Sequence, residues 1–261
     1  MTRLCDAMPL SISRTKPARM SLLLMAALWL LCVGVPGGGA ETDVPVYQAP
    51  QILAPRARLG GSLRGGEGDD PAIVALVPDH VGMTIKQRPA FNWFLSKHTT
   101  LPIRFTLIDE RSVHALVEHT LPPPDQAGVH AVRLDELQFS LQPNVQYRWY
   151  ISIIKDAASP SHDLVTGGMV ERCDFSECSV LGASTACTRD AVLTSAARGF
   201  WYDAMACLCD LIEANPSDSA LRRDRAALLK QVGLRDVAEW DLAQSHARRP
   251  ERDSSAIPLV R

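Results

Sequence analysis

The chain has 261 residues, 46% apolar and 21% charged, with a formal net charge of −2; this composition excludes disorder throughout and allows one large domain or two small ones. Residues 1–40 carry four basic side chains (Arg3, Arg14, Lys16, Arg19) against Asp6, which leaves 23 basic and 28 acidic residues in the remainder, a formal −5. A body of that sign lacks the basic face that displaces counterions from phosphates, so nucleic acid is set aside as a partner.

Arg14, Lys16 and Arg19 precede an apolar run over 22–35, which Pro36 ends and Gly37-Gly38-Gly39-Ala40 carries into Glu41. A basic region, a short apolar region and a small-residue exit form the pattern of a secretory signal peptide over 1–40, with cleavage near Ala40. The apolar run spans only about 21 Å as a helix against a hydrocarbon core of roughly 30 Å. Export to the periplasm or beyond is therefore preferred to the alternative of a membrane anchor formed by an uncleaved amino-terminal segment, and no stable membrane span is expected after cleavage. Leu31 before Cys32 argues against lipidation, which requires a small residue there. With 1–40 removed, Cys173, Cys178, Cys187, Cys207 and Cys209 remain, an odd number in a compartment where disulfides persist. Cys207 and Cys209, two apart in a helical pattern, diverge by about 200° and do not bridge each other. A pair is expected among Cys173, Cys178 and Cys187.

Residues 41–70 are rich in Pro, Gly, Ala and Arg and read as a flexible linker. Its cluster of Arg56, Arg58, Gly60, Gly61, Arg64, Gly65 and Gly66 lacks the Gly-Lys-Ser/Thr ending and the helix start of a phosphate-binding loop. Over 71–173, β-prone runs at 73–77, 90–95, 103–108, 113–120, 129–134, 147–154 and 164–172 are separated by turn residues, the spacing of a two-sheet sandwich. Alternation sets Tyr147, Trp149, Ile151 and Ile153 on one face, with Phe91, Trp93 and Leu95, and Ile103, Phe105 and Leu107, as inward residues of neighbouring strands. Leu141, Pro143 and Tyr147 resemble the turn-and-tyrosine arrangement of fibronectin type III and related immunoglobulin-like domains, so the expected fold is an all-β immunoglobulin/fibronectin-III-like sandwich.

After a connecting loop at 174–185, the apolar period changes to about 3.6, predicting an all-α domain over 186–250 and a tail at 251–261. Ser184 or Thr185 is the expected cap of a first helix reaching Arg198; further helices follow over 200–214, from Asn215-Pro216-Ser217 to Val232, and over 234–248. Gly199/Gly233, Ala204/Ala238, Leu208/Leu242 and Pro216/Pro250 are each 34 apart, the period of a tetratricopeptide-like pair of helical hairpins. Two such units bury too little surface alone, so they are expected to dock on the sandwich through Trp201, Tyr202, Met205 and Leu208.

Arg64-Gly65, Ala75-Leu76-Val77-Pro78, Pro89-Ala90-Phe91 with Trp93-Phe94-Leu95, Tyr147-Arg148-Trp149 and Gly199-Phe200-Trp201-Tyr202-Asp203-Ala204 together resemble the bacterial domain-of-unknown-function family 928, over residues 60 to 245. The resemblance implies an exported bacterial protein. It brings no activity and no catalytic residue.

Gly182-Ala183-Ser184-Thr185-Ala186 is near the spelling of a nucleophile elbow but lacks the acid and strand such an elbow needs. Cys173, Cys178 and Cys187 with His162 lack the close ligand pairs of a zinc site; no metal or cofactor is expected. Arg222, Arg223, Arg225 and Lys230 on the third helix are the candidate partner-binding residues, able to clamp the carboxylates of an extended peptide. The leading expectation is a non-catalytic protein-protein interaction or scaffold module of the cell envelope with a protein or peptide partner. The alternative is an envelope hydrolase with its site at the domain seam, using His130, His162 or a nearby acid.

Overall fold

A computed structural model describes residues 43–50, 57–60, 70–174 and 186–247. The expected signal segment 1–40, Cys178, the Ser184 and Thr185 caps and the tail 251–261 lie outside the described residues. Among the described residues, eight strands precede four α-helices: β1 (Ile73–Ala75), β2 (Gly82–Thr84), β3 (Ala90–Leu95), β4 (Ile103–Asp109), β5 (Ala115–Leu121), β6 (Gly128–Arg133), β7 (Gln146–Ile153), β8 (Leu164–Arg172), then α1 (Arg189–Ala197), α2 (Trp201–Ala214), α3 (Ser219–Gln231) and α4 (Arg235–Ala247). All seven expected strands are present. The added β2 is a three-residue strand too short for periodicity to show. Thr188 caps α1, its hydroxyl accepting from the Ala191 amide. The cap therefore sits three or four residues beyond the Ser184 and Thr185 positions expected of it.

The strands form a three-stranded sheet in the order β1-β3-β6 and a five-stranded sheet in the order β2-β8-β7-β4-β5. Neighbours are antiparallel except β2 and β8. Strand β7 alternates as its sequence predicts, with Tyr147, Trp149, Ile151 and Ile153 buried. Across the sandwich Phe91 meets Phe105 at 5.5 Å and Trp149 at 5.0 Å between ring centroids. Asn144 takes a φ of 57° in the turn before β7, a left-handed conformation Asn tolerates, and the Tyr147 hydroxyl accepts from the Gln142 amide at 3.0 Å.

Every residue of β3 is buried, whereas β4 and β7 alternate, because β3 is covered on both faces. Phe91 faces the other sheet, and Phe94 on the opposite face meets Trp240 of α4 edge-on at 4.9 Å. Helix α1 packs on α2 and α3 on α4. Gly199 and Gly233 end α1 and α3 with the same φ of 79°, the left-handed closure that favours glycine. Sandwich and helices share one hydrophobic core.

The expected docking residues carry that continuity. Trp201, Tyr202, Met205 and Leu208 are all buried, each contributing roughly 1.5–3 kcal/mol by area. The Trp201 indole donates to the Leu76 carbonyl at 2.8 Å. The Tyr202 hydroxyl accepts from the Trp149 indole at 2.8 Å and donates to the Met169 carbonyl at 2.9 Å. Its ring fills the space beside Gly82, where an added Cβ would stand 2.7 Å from it.

Cys187 pairs with Cys207, because the start of α1 lies against the middle of α2. Closing that loop contributes roughly 3 kcal/mol in the chain-entropy account; Cys173 is disulfide-bonded as well. The described parts of the expected linker are held rather than free. Gln231 clamps one stretch, accepting from the Tyr47 amide and donating to the Pro45 carbonyl, each at 2.8 Å. Tyr47 also packs edge-on against Trp201 at 4.9 Å, and Arg58 donates to the Val77 and Val232 carbonyls at 2.9 and 3.0 Å.

Tyr202→Phe strands the Trp149 indole and the Met169 carbonyl together; we expect about 2–4 kcal/mol of lost stability in urea unfolding, and an unchanged midpoint would remove Tyr202 from this role. Asp203, beside it, is buried at the junction with β2, accepting from the Ile85 amide at 3.0 Å. Burial raises its carboxyl above the usual range, the hydrogen bonds from Ile85 and Thr84 opposing. Such a group binds its proton more tightly when folded, so its contribution is largest below the unfolded value near about 3.9 and is lost as pH rises toward the folded value. Stability measured against pH should therefore fall less between about 4 and 7 in Asp203→Asn than in the native chain; parallel curves would contradict the assignment.

Candidate binding cleft

A cleft of about 650 Å³ opens between the outer face of the β1-β3-β6 sheet and the helices, within the size range of ligand pockets. One wall is Asn92 of β3 with Val129, His130, Ala131 and Arg133 of β6. The loop before β6 supplies Pro124, Asp125 and Gln126, and the helical wall carries Cys209, Ile212, Glu213, Arg222, Arg225 and Trp240. The alternation of β3 builds the first wall: with Phe91 and Trp93 turned to the sandwich interior, Asn92 and Phe94 face the helices.

The cationic residues divide. Arg225 engages Asp241 of α4 through two nitrogens, Nε to Oδ2 at 2.7 Å and Nη2 to Oδ1 at 2.6 Å, and Arg222 Nη1 reaches the same Oδ1 at 3.2 Å. All three side chains are buried, Asp241 completely. Arg223 and Lys230 are exposed, and Arg223 bonds Ser219 one turn back. The four candidate residues thus do not form one basic face. Two line the cleft from within and two lie at the surface, while Asp224 pairs with Arg189 of α1 at 2.6 Å.

Around this centre, Arg133 is paired with Asp210. His130 bonds the Gln126 carbonyl at 3.0 Å and stacks at 5.1 Å on Trp93, and burial holds its imidazole below the ordinary value, against the backbone bond. The Cys209 thiol accepts from Arg225 Nη1 at 3.5 Å, yet burial outweighs that cation and pushes the thiol up. A thiol so held is a poor nucleophile. His162 is exposed on a short turn before β8 and takes no part in the cleft. Cys187, weighed as a zinc ligand, is committed to its disulfide, and among the described residues no group of three His, Cys, Asp or Glu side chains could hold a metal ion.

Asn92, Arg133, Cys209 and Trp240 were not among the expected binding residues. A charge on the apolar stripe of a helix was the available signal: Asp241 follows Val237 and Ala238 by four and three, and Arg225 follows Leu221 by four.

Among the described residues no helix is long and apolar enough to cross a membrane. A family described as Domain of Unknown Function (DUF928) matches residues 59–242. No curated protein matches the chain. A solved multi-domain immunophilin from Arabidopsis thaliana aligns at 9% identity over 65% of this chain and 99% of that one, with a TM-score of 0.17, a likeness from which neither fold nor function follows.

Asp241→Ala leaves two buried guanidinium groups without their carboxylate and should cost roughly 3–5 kcal/mol in equilibrium unfolding, whereas Arg223→Glu with Lys230→Glu should stay within about 0.5 kcal/mol of the native chain. Equal losses in the two variants would contradict this division of the four cations.

Proposed function

The chain belongs to the DUF928 family through residues 59–242, and we propose that it is an exported, non-catalytic interaction or scaffold module of the cell envelope. The basic, apolar and small-residue order of residues 1–40 supports export. We read the sandwich as immunoglobulin-like, supported by the division of strands into β1-β3-β6 and β2-β8-β7-β4-β5 and by the Tyr147 hydroxyl bonded to the turn before its strand. We read the helices as tetratricopeptide-like, supported by two hairpins closed by glycines 34 apart in the same conformation.

The observation that carries the reading is the cleft itself. It is walled by the sheet on one side and the helical hairpins on the other, and presents Trp240, Ile212 and Val129 beside polar groups, the mixture through which proteins hold ligands and partners. The seam hydrolase has less support: its histidine is bonded to backbone, and the nearby thiol is held protonated.

Ala131 lines the cleft and is exposed, so Ala131→Trp fills the space with little cost to the fold. Affinity capture of the tagged full chain from its own envelope, compared with Ala131→Trp and with Arg223→Glu/Lys230→Glu, should return a small reproducible partner set and an amino terminus near Glu41. The first variant should lose that set and the second keep it. Loss only in the second would move the partner site to the exposed face of α3; no partner, with turnover on a peptide, ester or glycoside panel, would favour the hydrolase.

A further inference from the structure

Strand β6 forms one edge of the three-stranded sheet, and the bonds around it fix which way its backbone points. Facing residues of an antiparallel pair exchange hydrogen bonds at every second position. The Leu76 amide donates to the Asn92 carbonyl, the Ser96 amide to the Ala72 carbonyl, and the Leu134 amide to the Pro89 carbonyl. Asn92 and Phe94 thus bond toward β1. Phe91, Trp93 and Leu95 bond toward β6, where the register sets Val132, His130 and Gly128 against them. The amides and carbonyls of Val129 and Ala131, with the amide of Arg133, therefore point away from the sheet. They make no hydrogen bond within the described residues, and Ala131 is exposed.

The other sheet edges are guarded. At β1 the outward Ala75 amide donates to the Thr166 hydroxyl at 2.8 Å, and its carbonyl accepts from the Val77 amide at 3.0 Å. Strand β2 has only three residues. Strand β5 pairs irregularly near Leu107 and Ile108, carries Glu118 and His119, and runs into Pro122-Pro123-Pro124, features that discourage a further strand. Strand β6 pairs regularly and has no proline. Its Arg133 is drawn aside to Asp210, and Ala131 at its middle is small. Val129, Ala131 and Arg133 also line the cleft, so the open edge borders an open volume.

We propose that β6 takes an extended, basic segment of another protein as an added strand. This rests on the reading of the cleft as the interaction site. The backbone groups of Val129 and Ala131 exchange hydrogen bonds with the segment, and its alternate side chains enter the cleft beside Ile212 and Trp240. The accessible charge sets the sign of the partner. Asp125 and Glu213 line the cleft and are exposed, whereas Arg222 and Arg225 are buried around Asp241. An incoming chain therefore meets carboxylates, which favour Lys or Arg. A second copy would bring its own Asp125 and Glu213 to the same edge, and like charges oppose that pairing.

The test uses the full chain, ¹⁵N-labelled, with hexapeptide pools acetylated and amidated at their ends, random in Thr and Val, and carrying either Lys or Glu at alternate positions. The Lys pool should slow hydrogen exchange at the Val129, Ala131 and Arg133 amides by at least about tenfold and far less at His130 and Val132, which already bond β3. The Glu pool should bind several-fold more weakly. Ala131→Pro removes an outward N–H and leaves the ladder to β3 intact; it should bind the Lys pool about tenfold more weakly than Ala131→Val, which keeps the N–H. If the proline variant does not fold, the alternating exchange pattern of the native chain decides. A Lys pool that does not bind, that binds without this alternation, or that the two Ala131 variants bind alike would overturn the proposal, as would equal binding of the Glu pool. Protection of Val129 and Ala131 that rises with protein concentration alone would assign the edge to a second copy and overturn it too. Were Ala131→Trp to lose its envelope partners while neither pool altered exchange along β6, strand addition would fall and the interaction reading would stand. Were the Lys pool to protect β6 while Ala131→Trp kept every partner, the reverse would hold.

Discussion

The hydroxyl of Tyr202 is the point on which the architecture turns. It lies at the first turn of α2, accepts from the Trp149 indole and donates to the Met169 carbonyl, so one helical side chain satisfies two buried groups of the five-stranded sheet. Burial raises the phenol well above its ordinary value despite the bond from Trp149, so it stays protonated and can serve as donor and acceptor together. Trp201 adds a bond to the Leu76 carbonyl beyond β1. With these contacts made, α2 is fixed against both sheets, α1 and α3 follow as its hairpin and sequential neighbours, and the gap left between β6 and the helices becomes the cleft.

Much of this was legible. The strands of the sandwich follow from alternation, since β4 and β7 each have one wet face, and the period-two signal is clean where one face meets water. Strand β3 carried less of it: Ala90 to Leu95 is apolar almost throughout because the helices cover its outer face, and the exception, Asn92, is the residue that faces the cleft. The helical hairpins were readable from the 34-residue spacing, and the docking residues from their apolar stripe. Start points were harder. Thr188 caps α1 beyond the positions expected of the cap, and the nearby Cys187–Cys207 cross-link, between residues 20 apart, leaves no local pattern.

The site was less legible than the fold, for a physical reason. A cluster of arginines on one helix looks the same in sequence whether it meets water or a buried acid. What decides is the facing helix, and Asp241 is 16 and 19 residues away from its two partners. Arg222 and Arg225 therefore belong to the interior of the α3–α4 hairpin as well as to the cleft lining. Asn92 is likewise both buried and part of the cleft wall on the sheet side.

The contacts of the segment around Tyr47 and Arg58 bear on how the chain is made. Tyr47 bonds a side chain 184 positions later and Arg58 a carbonyl 174 positions later. A ribosome, and any export channel threading the chain from its amino end, delivers these two residues first and their partners near the end. Loop closure of that span is slow to be rewarded, so the earliest part of the body to emerge is among the last to find its place. Until α3 is complete, the indole face of Trp201 that Tyr47 covers and the Val77 and Val232 carbonyls that Arg58 joins remain open to water, to chaperones and to proteases.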